Sequence, residues 1–187
     1  MRVIAGRAKG RTLIVPHGGA TRAATDRIRE TLFAILEPEL VGAEVLDLFA
    51  GAGTLGIEAL SRGAAHVRFV ERSADAIRAL RKNLDVTAFA ERATVVPANV
   101  IAYLDAQPSG SFDLVFCDPP FADVAIAQAT LAHPALARAL RTDAIVVVRS
   151  LRKHQPTVPP NARLVRVKEI GEETLLFLGY SDLAAGG

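Results

Sequence analysis

From residue 44 to residue 148 the chain alternates between two hydrophobic periods. Short β-type runs, at Val45–Phe49, Val67–Glu71, Thr94–Pro97, Phe112–Cys117 and Ala144–Val148, are separated by stretches with apolar residues at helical spacing. The intervening helices are predicted at Leu55–Arg62, at the segment after Ser73 that carries Ile77, Leu80 and Leu84, at Val100–Leu104, and over Val124–Leu140 with a break at Pro134. Ile145-Val146-Val147-Val148 contains no polar residue, which suits a strand covered on both faces. Strand–helix alternation of this kind predicts a doubly wound α/β fold with a mostly parallel sheet. Ligands of such sheets bind beyond the carboxyl ends of the strands, so the residues just after each run carry the functional information.

The flanking segments differ from this middle. Val3–Ala5 and Thr12–Val15 read as a small β-hairpin turning through Gly6-Arg7-Ala8-Lys9-Gly10, followed by a loop at Pro16-His17-Gly18-Gly19. Thr25 is an N-cap for a helix over Asp26–Leu36 that ends before Pro38. Arg163–Glu169 and Thr174–Tyr180 form a terminal hairpin around Gly171, and residues 181–187 read as a frayed tail. The 187 residues suit one domain. The division expected is an arm at 1–25, a catalytic domain at 26–180 and the tail, with the arm outside the main core.

A single cysteine, Cys117, excludes an internal disulfide framework and a Cys-rich metal site. His17, His66, His133 and His154 show no metal-ligand spacing, so no metal is expected. No apolar run is long enough to span a membrane and no signal peptide is evident, which points to the cytoplasm. The net charge of +2 conceals a pattern: five bases and no acid in residues 1–25, an excess of acids in 26–143, then six bases and no acid in 144–168. Two basic blocks around an acidic middle suggest a polyanionic partner.

The first run leads into Asp47-Leu48-Phe49-Ala50-Gly51-Ala52-Gly53-Thr54-Leu55-Gly56, a G-x-G-x-x-G loop. Glu71 closes the second run, 20 residues after Gly51, where a carboxylate can accept from ribose hydroxyls. That pair fits a dinucleotide as well as S-adenosylmethionine (SAM), and a plain glycine turn needs no cofactor at all. Asp47 tilts the choice, because an acid at the strand end suits a sulfonium and an ammonium and would lie poorly against a pyrophosphate.

The fourth run passes directly into Asp118-Pro119-Pro120-Phe121. Two prolines fix φ at consecutive positions and remove two donors, so the loop is stiff and presents acceptors. Asp118 and the Pro119 carbonyl can each accept one N–H of a planar exocyclic amine, and Phe121 can stack on its ring. Such a grip holds the amino nitrogen with its lone pair directed at a methyl donor. Asp-Pro and Pro-Pro are also ordinary turn dipeptides. Cys117 invites comparison with a methyltransferase nucleophile, although a lone strand cysteine usually packs as a small hydrophobe.

The Asp118–Phe121 segment resembles the (Asn/Asp)-Pro-Pro-(Tyr/Phe) motif of SAM-dependent methyltransferases that modify amino groups of nucleic-acid bases. Together with Arg2-Val3-Ile4-Ala5-Gly6, Thr25-Asp26-Arg27-Ile28-Arg29-Glu30-Thr31-Leu32-Phe33, Asp47-Leu48-Phe49-Ala50-Gly51 and Leu60-Ser61-Arg62-Gly63-Ala64, it is similar to the bacterial 16S rRNA guanine-N2 methyltransferases of the RsmD type. The resemblance spans about residues 2–180.

That resemblance implies a Rossmann-like class I methyltransferase fold of seven strands with the last antiparallel, SAM as cofactor and S-adenosylhomocysteine as product. The target it implies is a guanine N2 in 16S rRNA of the small ribosomal subunit, guanine 966 in the family's pattern. Asp47, Phe49, Gly51, Gly53, Leu55, Glu71, Arg72, Asn99, Val100 and Asp118 would line the cofactor, and Asp118, Pro119, Pro120 and Phe121 the target base. The family usually has Asp where this chain has Asn99, so the adenine contact there would lack charge. Arg2, Arg7, Lys9, Arg11, Arg22 and Arg27 are the candidate phosphate contacts. Of Arg27 and Arg29, one would face the SAM carboxylate and the other pair with Asp26 or Glu30. A monomer is expected, acting on rRNA within a partly or fully assembled subunit. A DNA amino-methyltransferase acting on adenine N6 or cytosine N4, or a SAM- or RNA-binding assembly factor, remain the alternatives.

Overall fold

The computed structural model describes residues 1–16, 24–106, 111–120 and 123–180. Among these residues there are seven strands: β1 (Glu44–Leu48), β2 (His66–Glu71), β3 (Ala93–Pro97), β4 (Phe112–Cys117), β5 (Leu140–Leu151), β6 (Ala162–Ile170) and β7 (Glu173–Tyr180). The helices are α1 (Asp26–Leu40), α2 (Thr54–Arg62), α3 (Ala74–Thr87), α4 (Val100–Ala106), α5 (Val124–Leu131) and α6 (Pro134–Arg138). The sheet order is β3-β2-β1-β4-β5-β7-β6, and every pairing is parallel except the two made by β7. The chain winds outward from β1 to β3, then returns to lay β4 on the other side of β1. That reversal opens a crevice at the carboxyl ends of β1 and β4.

Period-two alternation splits the strand side chains between two cores. Val45, Phe69, Phe116, Val147 and Phe177 pack with α1, α2 and α3, while Leu46, Val70, Val115, Val148 and Leu178 pack with α4, α5 and α6. Thr25 and Ser73 cap α1 and α3, their hydroxyls accepting from the Ile28 and Ala76 N–H groups. Among the described residues no helix is long and apolar enough to cross a membrane.

Three local expectations give way. First, α1 continues through Pro38 to Leu40. Leu40 is 1% exposed, and burying it outweighs the single donor that Pro38 removes. Second, the helical stretch after Pro134 stops at Arg138, and β5 begins at Leu140 rather than Ala144. Its pairing with β4 shifts register between Phe112 and Leu114, and Asp143 takes a left-handed φ of 64° to absorb the extra residues.

Third, the N-terminal segment is neither a regular hairpin nor outside the core. It forms one isolated bridge, Arg2 to Thr12, and buries Val3, Ala8 and Leu13 in the α1–α3 core. Main-chain hydrogen bonds flank that bridge, from the Val3 N–H to the Arg11 carbonyl at 2.9 Å and from the Leu13 N–H to the Met1 carbonyl at 2.7 Å. Polar side chains of the helices hold further backbone donors. Buried Glu58 of α2 accepts from the Ile4 and Ala5 N–H groups at 2.8 and 3.0 Å. Ser61 accepts from the Ala8 N–H at 3.0 Å. Gly6 lies so close to α2 that a Cβ would sit 1.8 Å from the Ser61 carbonyl oxygen. Asn83 of α3, fully buried, accepts from the Ile14 N–H at 2.7 Å and donates to the Ile14 and Ala52 carbonyls at 2.8 and 2.9 Å. The loop at 17–20, Arg22 and the tail at 181–187 lie outside the described residues.

Replacing Asn83 by Ala strands one N–H and two carbonyls together. A loss of about 2–4 kcal/mol in urea unfolding is expected, with faster hydrogen exchange at the Ile14 amide. Unchanged stability would remove this clamp as an anchor of the segment.

Candidate active site

The carboxyl ends of β1, β2 and β4 bring three acids around the glycine loop. Asp47, the fourth residue of β1, is 1% exposed and lies on the same sheet face as Val45. Its Oδ2 accepts from the Gly56 N–H at 3.0 Å, joining the strand end to the first turn of α2. That approach needs glycine, because a Cβ on Gly56 would lie 2.3 Å from the Phe69 ring. Burial pushes the Asp47 carboxyl up to about 8, and the negative charges of Asp118 and Glu71 add to this, opposed by the Gly56 hydrogen bond.

Phe49 leaves β1 with φ 61°, an uncommon conformation for a side chain of this size. The strain is held by the Ala50 N–H, which donates to the Val70 carbonyl at 3.1 Å. The chain then turns through Gly51 and Gly53, both with positive φ, into α2. Glu71, at the end of β2, pins this loop: Oε2 accepts from the Gly51 N–H at 2.9 Å, and Oε1 from the Arg72 and Ser73 N–H groups at 2.8 and 2.7 Å. Its carboxylate is thereby oriented along the rim of the crevice, with Arg72 beside it.

The other predicted cofactor residues are spread more widely. Leu55 and Val100 direct their side chains into the two cores, beneath the loops rather than into open space. Asn99 follows β3 and is exposed, but its Oδ1 already accepts from the Ile101 N–H at 2.9 Å, capping α4.

Asp118 follows β4 on the face of Asp47, since Phe116, two residues earlier, belongs to the α1–α3 core. Pro119 is buried and Pro120 half-buried. Phe121 lies outside the described residues. The sequence did not single out the Asp118 partner. Arg149 of β5 donates from Nε to Oδ1 at 2.7 Å and from Nη2 to Oδ2 at 3.0 Å. Its Nη1 donates to Glu173 of β7 at 3.0 Å. Burial pushes the Asp118 carboxyl up, and the charge and hydrogen bonds of Arg149 oppose it. The available signal was a guanidinium placed directly after Val146-Val147-Val148, at the end of an otherwise apolar strand.

Among the candidate phosphate contacts, Arg2, Arg7, Lys9, Arg11 and Arg27 are all exposed. Arg29 is fully buried and donates to Asp26 at 2.8 Å and to the Arg2 carbonyl at 2.7 Å, so of Arg27 and Arg29 it is Arg29 that pairs with Asp26. Cys117 is buried, and burial pushes its thiol well above the ordinary range, the reverse of an activated nucleophile.

The family described as Conserved hypothetical protein 95 matches residues 1–179 of this chain. Ribosomal RNA small subunit methyltransferase D of Escherichia coli strain K12 is 40% identical over 173 residues, covering 92% of this chain and 86% of that protein. The protein of the same name in Haemophilus influenzae is 35% identical over 173 residues, covering 91% and 89%. The solved structure of yhhF from Escherichia coli superposes with a TM-score of 0.81 at 39% identity, covering 95% of this chain and 96% of that one.

Asp47 makes stability fall with pH. Its ordinary value is 3.8 and its folded value about 8, so between these the folded chain binds more protons than the unfolded one. The melting temperature should drop as pH rises from about 5 to 8. Asp47→Asn keeps an acceptor for the Gly56 N–H and should flatten that drop. An identical pH profile in the variant would mean that burial does not hold the proton on Asp47.

Proposed function

This chain belongs to the Conserved hypothetical protein 95 family, and from that membership we propose that it transfers a methyl group from SAM to the exocyclic N2 of a guanine in 16S rRNA. The observation that carries the reading is the Asp118-Pro119-Pro120 loop, which leaves β4 beside Asp47 at the point where the sheet reverses its winding. The relatives' names, with rRNA and the small subunit in them, support the class of target.

Asp47, the Gly51–Gly53 turn and Glu71 offer a cationic nucleoside what it needs. Buried Asp47 would face the charged methionine end, the Gly51–Gly53 backbone would run close to it, and Glu71 would accept from the ribose hydroxyls. SAM supplies an electrophilic methyl group on a sulfonium. The amino group of guanine is a poor nucleophile because its lone pair is delocalised into the ring. Asp118 and the Pro119 carbonyl accept its two N–H bonds, favour a pyramidal nitrogen and aim the lone pair at the methyl carbon. The nitrogen pair then forms the N–C bond as the C–S pair returns to sulfur, giving S-adenosylhomocysteine. One proton leaves the methylated nitrogen to Asp118 or water. The step needs no metal and no covalent intermediate. A guanine in folded RNA must first be unstacked, at a cost of a few kcal/mol.

The exposed bases Arg2, Arg7, Lys9 and Arg11 on the N-terminal segment, with Arg27 on α1, form the proposed phosphate-binding surface. They are anchored through that segment's buried backbone hydrogen bonds to the two helices that flank the glycine loop.

Labelled SAM offered with naked 16S rRNA, assembled small subunits and DNA, followed by mapping of the labelled base, tests the assignment. Label at a guanine N2 of 16S rRNA is expected, with guanine 966 the position the family resemblance points to. Label on DNA alone would overturn it. Asp118→Ala should lower the transfer rate by at least roughly 10²-fold while SAM affinity changes little. An unchanged rate would remove Asp118 from the mechanism.

Because Val3 and Leu13 are core residues, the segment is tested by neutralising its surface rather than by deletion. Replacing Arg7, Lys9 and Arg11 by Gln should weaken RNA binding and reduce the log–log salt slope by about 0.9 for each duplex phosphate that is no longer neutralised. Preserved affinity and slope would place the RNA elsewhere.

A further inference from the structure

Asp118 is not an isolated acid. Phe116 on β4, Val147 on β5 and Leu175 on β7 share one core, so the residues two further along β4 and β5, and two earlier on antiparallel β7, lie on that same face at its carboxyl edge. Those residues are Asp118, Arg149 and Glu173. Their side chains are 15%, 3% and 12% exposed, and Arg149 joins the two acids. Both Asp118 oxygens accept from the guanidinium in a fork geometry, which fixes the carboxylate in rotation as well as in charge. The third arm of the guanidinium, on Glu173, stops the fork from swinging away.

We propose that Arg149 is the positioning residue of the methyl-transfer site, holding Asp118 as a fixed carboxylate acceptor for the target amino group, with Glu173 holding Arg149. The proposal rests on the role assigned to Asp118 above. The guanidinium leaves the remaining lone pairs of Asp118 free to accept an N–H. A carboxyl here without its cation would be drawn toward the neutral form by burial, and a protonated carboxyl has one acceptor fewer and can rotate.

A double-mutant cycle in the full chain separates this from a structural salt bridge. The readouts are the single-turnover transfer rate from labelled SAM to unmethylated small subunits at saturating SAM, and SAM affinity. Arg149→Met should lower the rate at least roughly tenfold with SAM affinity within about threefold. Asp118→Asn presents an amide oxygen that needs no countercharge, so adding Arg149→Met to it should cost less than about twofold. Equal costs in both backgrounds, or a wild-type rate in Arg149→Met, would overturn the proposal.

Should Arg149→Met fail to fold because it strands Asp118 and Glu173, the triple variant with Asp118→Asn and Glu173→Gln added carries none of the three charges and remains measurable. Transfer at the rate of Asp118→Asn supports positioning, and loss of that transfer overturns it. Glu173→Gln keeps both partners of the fork and gives an independent arm: a rate lowered severalfold at constant SAM affinity is expected, and an unchanged rate removes Glu173 from the proposal. If the wild-type chain labels no acceptor, the functional reading itself fails, which is a distinct result.

Discussion

The parallel pairing of β1 with β4 is the constraint on which the site depends. Its register sets Asp47 opposite Phe116 and Leu48 opposite Cys117, so the two strands end together. Their next residues leave the sheet side by side, one as the glycine loop and the other as the Asp118 loop. Sequence separation hides this, because β2, β3 and the helices α2, α3 and α4 lie between them along the chain. A helix–strand unit inserted on either side would leave the crevice intact. A slip of one residue in this register would turn Asp47 or Asp118 to the opposite face and separate them.

The same pairing creates an electrostatic problem that the fold resolves unequally. Asp47 and Asp118 share one sheet face, and the negative charge of Asp118 opposes ionisation of the buried Asp47. Among the described residues Asp47 has a single backbone N–H and no cation as partners, so it is poised to ionise when a positive ligand arrives. Asp118 has a guanidinium on both oxygens. One acid is suited to respond to a cofactor and the other, gripped by a guanidinium, to stay fixed in orientation. Differences in partner, rather than in residue type, divide the two roles.

The sheet, its strand positions and the two signature loops were readable because each rests on local pattern: apolar runs, glycines after a strand, consecutive prolines. Phe112–Cys117 falls at the expected residues, and the Ser73 cap is where the sequence puts it. What escaped was set by partners distant in sequence. Glu58, Ser61 and Asn83 look like ordinary helix-surface polar residues, yet each spends its hydrogen-bonding capacity on the N-terminal segment more than 50 residues away. That segment reads as a free hairpin only because its partners cannot be seen locally. The β5 boundary moved for a similar reason, since a bulge is decided by the neighbouring strand.

Charge counted along the chain misleads in the same way. The basic block at 144–168 contains Arg149, turned inward to two acids, and Arg152, which meets Glu169 at 3.4 Å. Arg29 is likewise fully enclosed. The enclosed guanidiniums of Arg149 and Arg29 are poor candidates for phosphate, because each would have to abandon a partner at low dielectric to reach one. The N-terminal bases differ. They sit on a backbone fixed from below by Glu58 and Asn83, and their side chains extend into solvent, Arg2 lying 4.0 Å from exposed Asp26. On the proposed function, a polyanion meets the surface over α1 and the N-terminal segment first, and the crevice behind it keeps the acidic character that a sulfonium and an amino group require.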